Sequence, residues 1–157
     1  MEILKTMGAK VMEEPDGIIV SPGDLCDSNI DVSQIPDMAP ILSVLALAAK
    51  GTTIITGAAR LRIKESDRLA AITEILTALG GHIEEQSDGL IIKGGSRMKG
   101  GIIHAHNDHR IAMMAAVASL ICDGKVTIEG ADAVKKSYPA FFDVWKDIGL
   151  DHKLERK

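Results

Sequence analysis

Glu74-Ile75-Leu76-Thr77-Ala78-Leu79-Gly80-Gly81-His82-Ile83 decides the fold. Apolar residues at helical spacing run into a glycine, and a strand-like segment follows at once. The same grammar occurs earlier, in Met1-Glu2-Ile3-Leu4-Lys5-Thr6-Met7-Gly8-Ala9-Lys10-Val11, and later, in Val144-Trp145-Lys146-Asp147-Ile148-Gly149-Leu150. Gly8, Gly80 and Gly149 therefore recur at intervals of 72 and 69 residues, each placed as a glycine that ends a helix.

The intervening sequence repeats as well. Pro36-Asp37 opens a helix expected over about 39–50, and Lys50-Gly51 turns into a strand, Thr52–Thr56. Asn107-Asp108 opens another over about 109–122, and Asp123-Gly124 turns into Lys125–Glu129. Two hairpins around Asp-Gly turns are expected, Lys10–Met12 with Ile18–Val20 and His82–Glu85 with Leu90–Lys93. The unit reads helix, strand, helix, strand, strand, so the chain is α/β and built by repetition. Residues 1–24 end one unit, 25–97 form a full one and 98–157 a further one. Because the first unit is cut in mid-helix, Met1 is expected to be a boundary within a longer polypeptide; a native reading frame starting there would contradict this.

The bulk composition excludes several function classes. Among 157 residues 46% are hydrophobic, 25% charged and only 3% aromatic, so the core must be aliphatic. A net charge of −4 without a basic stripe argues against nucleic-acid binding. Cys26 and Cys122 lack metal-ligand spacing, and no apolar run is long enough to span a bilayer. A soluble cytoplasmic protein is expected.

Two stretches carry chemistry. Arg60-Leu61-Arg62-Ile63-Lys64-Glu65-Ser66-Asp67-Arg68 leads into a helix expected over about 65–79. Glu65, Ser66 and Asp67 suit a helix start, whereas Lys64 and Arg68 face the positive end of its dipole. Asn107-Asp108-His109-Arg110 repeats the arrangement: Asp108 is a natural cap, while His109 and Arg110 put potential cations in the first turn. A bound anion over each helix start would recruit those cations. Asp37 is an ordinary helix cap by itself, and Lys136 is only a polar residue ahead of the last helix. Together they give two carboxylates, Asp37 and Glu65, and the cations Lys64, Arg68 and Arg110, with His109 and Lys136 as further candidates. Such a set favours anion positioning with proton transfer over covalent catalysis. His104 and His106 alternate as if on a strand and read as structural; Gly94-Gly95 and Gly100-Gly101 read as turn glycines.

At Ile35-Pro36-Asp37, Arg62-Ile63-Lys64-Glu65-Ser66-Asp67-Arg68, Asn107-Asp108-His109-Arg110-Ile111-Ala112-Met113 and Lys136-Ser137-Tyr138-Pro139 the sequence resembles the 5-enolpyruvylshikimate-3-phosphate synthase family, over essentially its whole length. The resemblance implies transfer of the enolpyruvyl group of phosphoenolpyruvate to the 5-hydroxyl of shikimate 3-phosphate, with release of phosphate and no cofactor or metal. It implies an inside-out α/β fold, helices within and sheets outside, in two domains of three repeated units each. By the same likeness Asp37 is the acid/base at the accepting hydroxyl, and Lys64 and Arg60 lie on the shikimate side. Glu65 protonates the phosphoenolpyruvate methylene, while Arg68, His109, Arg110 and Lys136 hold phosphoenolpyruvate. Two departures stand out: Arg60 replaces an Asn of some members, and Ala140 an Asp.

The chain would be a partial C-terminal domain, with an N-terminal domain absent and half of the site with it. Turnover by these residues alone is not expected, and the incomplete repeat should expose apolar surface. The rival readings are a fragment of UDP-N-acetylglucosamine enolpyruvyl transferase, which shares the fold, and a non-catalytic anion-binding domain.

Overall fold

The computed structural model describes residues 1–150 and Lys153. Helix α1 (Glu2–Thr6) precedes strands β1 (Lys10–Glu14), β2 (Gly17–Ser21) and β3 (Asn29–Asp31). Helix α2 (Ala39–Ala48), strand β4 (Thr52–Thr56) and helix α3 (Arg68–Ala78) follow, then β5 (His82–Gln86), β6 (Gly89–Lys93) and β7 (Gly101–His104). Helix α4 (His109–Ala118), strand β8 (Val126–Glu129) and helix α5 (Phe141–Asp147) complete the order. Short 3-10 turns lie at Pro36–Met38, Ala59–Ile63, Ser119–Ile121 and Ala131–Lys136. The expected helices over 39–50 and 109–122 thus end earlier, the second tightening into a 3-10 turn. The end of the unit expected over 98–157 falls partly outside the described residues.

The helix stops follow their glycines. Gly8, Gly80 and Gly149 have φ of +92°, +99° and +84°, the left-handed geometry that ends a helix and that glycine adopts without a Cβ clash. At Gly80 a Cβ would also stand 3.2 Å from the Arg97 carbonyl oxygen. Gly80→Ala is therefore expected to destabilise the chain by about 1–2 kcal/mol, read as a lower urea midpoint at unchanged m.

Each helical crossover carries a strand more than the sequence pattern indicates. β3 pairs in parallel with β4 across α2, and β7 with β8 across α4. Parallel pairing needs such a crossover. β3 is short with polar ends, Asn29 and Asp31, and β7 is short, so apolar periodicity gives little sign of either beyond the His104 alternation. Strand β6 joins β4 on one edge and β5 on the other, both antiparallel, giving the sheet order β3-β4-β6-β5. The expected helix, strand, helix, strand, strand order is thus present in α2, β4, α3, β5 and β6, with one further strand, β3, ahead of it. The repetition extends to detail: parallel bridges join Cys26 to Lys50 and Met98 to Cys122.

Helices α2, α3 and α4 pack on one another and carry the sheets on their outer sides. Accordingly β4 buries Thr53 and Ile55 and exposes Thr52, Ile54 and Thr56. Small residues allow the close helix approach: Ala112, Ala115, Ala116 and Ala118 of α4 are buried beside Ile111 and Met114. The hairpin β1–β2 has no such cover among the described residues. Ile18 and Val20 are 57% and 59% exposed, whereas their counterparts Leu90 and Ile92 in β6 are fully buried. This packing brings the N-termini of α3 and α4 and the turn before α2 to one side of the molecule, where their side chains meet.

Candidate active site

Both helix starts are capped by aspartates. Asp67 accepts from the Ala70 amide at 3.1 Å, and Asp108 from the Arg110 amide at 2.9 Å. Helix α3 thus begins at Arg68, three residues later than expected. Glu65 and Ser66 precede the cap, and Lys64 is an extended residue closing the 3-10 turn, so it does not face the dipole as anticipated. Arg68, His109 and Arg110 do lie in first turns. Asp37 is not a helix cap: it sits within the Pro36–Met38 turn, and α2 has no side-chain cap.

Freed from capping, Asp37 is encircled by cations. Arg68 Nη1 donates to its Oδ1 at 2.8 Å, Lys64 Nζ lies at 3.4 Å, and Arg110 Nη2 stands 3.6 Å from Oδ2. Partial burial works against the ionised carboxylate. Lys64, Arg110 and Arg68 outweigh it and hold its pKa below the ordinary 3.8.

Beneath Asp37 lies a fully desolvated pair. Arg68, 3% exposed, donates from Nε to Asp108 Oδ2 at 2.8 Å and from Nη2 to Oδ1 at 3.1 Å; Asp108 is completely buried. Ser66 Oγ donates to Asp108 Oδ2 at 3.0 Å. Burial raises the Asp108 pKa, but the Arg68 donors, the Arg110 amide and the Ser66 hydroxyl prevail and leave it below 3.8. Asp108 therefore does what its sequence position did not disclose: it fixes the guanidinium of one helix start while capping the other. The only available signal was an acid beside an unexplained Arg motif 40 residues away.

A second carboxylate completes the floor. Glu65 Oε1 is 2.9 Å from His109 Nδ1, off the axis of a hydrogen bond, and Oε2 is 3.6 Å from Lys136 Nζ. Lys136, ending the Ala131–Lys136 turn, also donates to the Asn107 carbonyl. The structure thus gathers Asp37, Lys64, Glu65, Arg68, His109, Arg110 and Lys136 around Asp108, four fixed cations against three carboxylates. Glu65, Asp108 and His109 offer ligand atoms within 4.8 Å of one another. Yet Arg68 already occupies both Asp108 oxygens and Lys136 adds positive charge, so the set suits an anion better than a cation.

Arg60 is exposed in the Ala59–Ile63 turn, and no hydrogen bond or ion pair ties it to this cluster among the described residues. Arg62 faces the other way. It donates to Glu85 at 2.8 Å, Asp67 at 3.1 Å and the carbonyls of Gln86 and Ser87, stapling the turn to the β5–β6 hairpin. Half of the charged motif is thus scaffold.

The chain enters α4 by an unusual route. His106 and Asn107 have φ of +50° and +53°, the only non-glycine residues in the left-handed region among those described, at a cost of about 1–2 kcal/mol each. Strand β7 stops at His104, so His106 is not on it as its alternation implied. Instead the His106 amide donates to His104 Nδ1 at 3.0 Å, and His106 Nε2 lies 3.3 Å from Glu74 Oε2 on α3.

Comparison with known proteins follows the same residues. The family model for EPSP synthase (3-phosphoshikimate 1-carboxyvinyltransferase) matches residues 1–145. A 3-phosphoshikimate 1-carboxyvinyltransferase of Clostridium kluyveri is 48% identical over 149 residues, which are 95% of this chain and 35% of that protein. One from Methanococcus maripaludis is 43% identical over 155 residues, 98% of this chain and 36% of that protein. The chain therefore spans about a third of the length of these relatives. An EPSP synthase of Acinetobacter baumannii superposes with a TM-score of 0.87 at 34% identity, covering 99% of this chain and 39% of its own. The enolpyruvyl transferase NikO from Streptomyces tendae, at 23% identity and a TM-score of 0.80, shares the fold. No helix among the described residues is long and apolar enough to cross a membrane. With the matched model running through the turn of Asp37, both capped helix starts and the Lys136 turn, the chain belongs to the EPSP synthase family.

Proposed function

We propose that these residues form one wall of the active site of an enzyme that moves the enolpyruvyl group of phosphoenolpyruvate to the 5-hydroxyl of shikimate 3-phosphate. The other wall would come from an N-terminal domain elsewhere in a longer polypeptide. In this reading residues 1–24 end one repeat unit, 25–97 are a full unit and 98–157 belong to a further one. The observation that carries the proposal is the convergence of Lys64, Arg68, Arg110 and Lys136 on Asp37 and Glu65 in a chain of this family.

The chemistry divides between the two carboxylates. Glu65, backed by His109, delivers a proton to the methylene carbon of phosphoenolpyruvate, and the 5-hydroxyl oxygen bonds to the adjacent carbon. Asp37, kept ionised by its cations, accepts the hydroxyl proton as that bond forms. In the tetrahedral intermediate so made, the Glu65 carboxylate takes back a methyl proton while the C–O bond to phosphate breaks, so the double bond re-forms and inorganic phosphate leaves with the bonding pair. Arg68, Arg110 and Lys136 balance the phosphate and carboxylate charge, with His109 beside them, while Lys64 and the exposed Arg60 lie toward the shikimate side. Each charge-assisted contact is worth about 1.5–3 kcal/mol.

The test is reconstitution. The chain joined to the preceding two thirds of the Clostridium kluyveri relative is expected to release phosphate from phosphoenolpyruvate only when shikimate 3-phosphate is present, and the 157 residues alone to release none. Phosphate release with UDP-N-acetylglucosamine instead would overturn the choice of acceptor. Turnover by the unaided chain, free of host enzyme, would overturn the half-site reading.

A further inference from the structure

We infer that Glu74 and His106 are positioning residues for the anion site, tying the left-handed approach to α4 onto α3; the inference rests on the anion-binding reading above. The two residues before Asp108 are the only non-glycine positions in the left-handed region among those described. Such a conformation persists where surrounding contacts over-determine it. Here those contacts are specific. The Asp108 amide donates to the Ala105 carbonyl at 2.9 Å, Lys136 holds the Asn107 carbonyl, and His104 Nδ1 takes the His106 amide. The side chain of His106 adds one further tie. Its Nε2 is buried, lies 3.3 Å from Glu74 Oε2 and has no hydrogen-bond partner within the described chain.

The geometry matters because of what each end carries. Glu74 is on the helix whose first residue is Arg68; His106 is two residues ahead of Asp108, three ahead of His109 and four ahead of Arg110. The pair therefore fixes the approach of one cationic helix start relative to the other. Loosening it would let the turn relax toward ordinary backbone angles and swing the Arg110 guanidinium and its amide off target. Glu74 is well exposed, with 63% of its side chain accessible, so little of the core depends on it.

A glycine at 106 separates the two roles. His106→Gly removes the cost of the left-handed angle along with the Glu74 contact. If His106 merely tolerates the turn, the variant should be as stable as wild type or more so and should bind as well. If it positions the site, stability holds while binding of phosphoenolpyruvate, followed by titrating the amide resonances of Asp108–Arg110, weakens about fivefold, roughly 1 kcal/mol. Glu74→Ala should reproduce the loss, and the double variant should be no worse than either single one, since both remove one contact. Amide hydrogen exchange at 106–110 supplies a reading that needs no ligand: it should quicken in both variants without change in β4 or β6. Unchanged exchange there, or additive losses in the double variant, would overturn the inference. A reconstituted wild-type protein with normal protection that ignores about 20 mM phosphoenolpyruvate (roughly the weakest binding such a titration resolves) would instead overturn the anion-binding reading.

Discussion

Asp108→Ala is expected to lower the melting temperature by on the order of 10 °C, the largest effect of any single substitution in the site. Arg68 is 3% exposed and receives two of its three close contacts from Asp108. Removing one partner of a buried pair typically costs about 3–5 kcal/mol, and here it leaves the buried guanidinium only the partly exposed Asp37. For a domain of this size each kcal/mol moves the midpoint by roughly 2–4 °C. The cap of α4 and the acceptor for Ser66 go with it. Asp108→Asn, which keeps the cap and one acceptor oxygen, should cost less. The same pair fixes an acid limit. Its pKa is lowered in the folded chain, so its contribution is complete above the ordinary 3.8 and is lost as pH falls from there through the lower folded value. A wild-type chain should therefore lose stability more steeply below about pH 4 than Asp108→Ala, which keeps only the smaller share owed to other carboxylates such as Asp37. Equal acid sensitivity of the two would show that the pair is not the source.

The helix stops were legible because a glycine forced into left-handed geometry leaves a fixed mark in sequence, and it recurs at Gly8, Gly80 and Gly149. The helix starts were less so. Glu65, Ser66 and Asp67 are all acceptable near a helix N-terminus, and only the reach of Asp67 to the Ala70 amide selects among them. Strand β3 escaped, and β7 showed only as the His104 alternation, because three or four residues carry little periodicity and their partners lie beyond a crossover helix. Asp37 read locally as a cap and in space as the centre of a cation ring, since Lys64, Arg68 and Arg110 reach it from three other elements. The charged motifs announced that anions matter. They did not say which of their members serve the scaffold, because Arg62 and Asp108 take their roles from residues remote in sequence. The anion clamp was therefore visible as a composition and invisible as a geometry.

Asp37→Asn separates chemistry from stability more sharply than any other change. Asp37 is 43% exposed, and Arg68 keeps Asp108 when the Asp37 charge is gone, so the fold should lose at most about 1 kcal/mol. The catalytic consequence in the reconstituted enzyme should be far larger. An amide cannot take up the hydroxyl proton of shikimate 3-phosphate, and loss of a positioned base typically lowers the rate about 10²–10⁴-fold. The fall should be in kcat, because the phosphoenolpyruvate cations remain and are even relieved of a competing carboxylate. For that reason affinity for phosphoenolpyruvate should hold or tighten. The lowered pKa adds a signature: the wild-type base stays ionised down to acid pH, so Asp37 contributes no decline in rate between pH 7 and 5 (roughly the range above any ordinary carboxylate). Steady-state phosphate release by the variant within tenfold of wild type, at matched melting temperature, would remove Asp37 from the reaction and leave it only the task of spacing Lys64, Arg68 and Arg110.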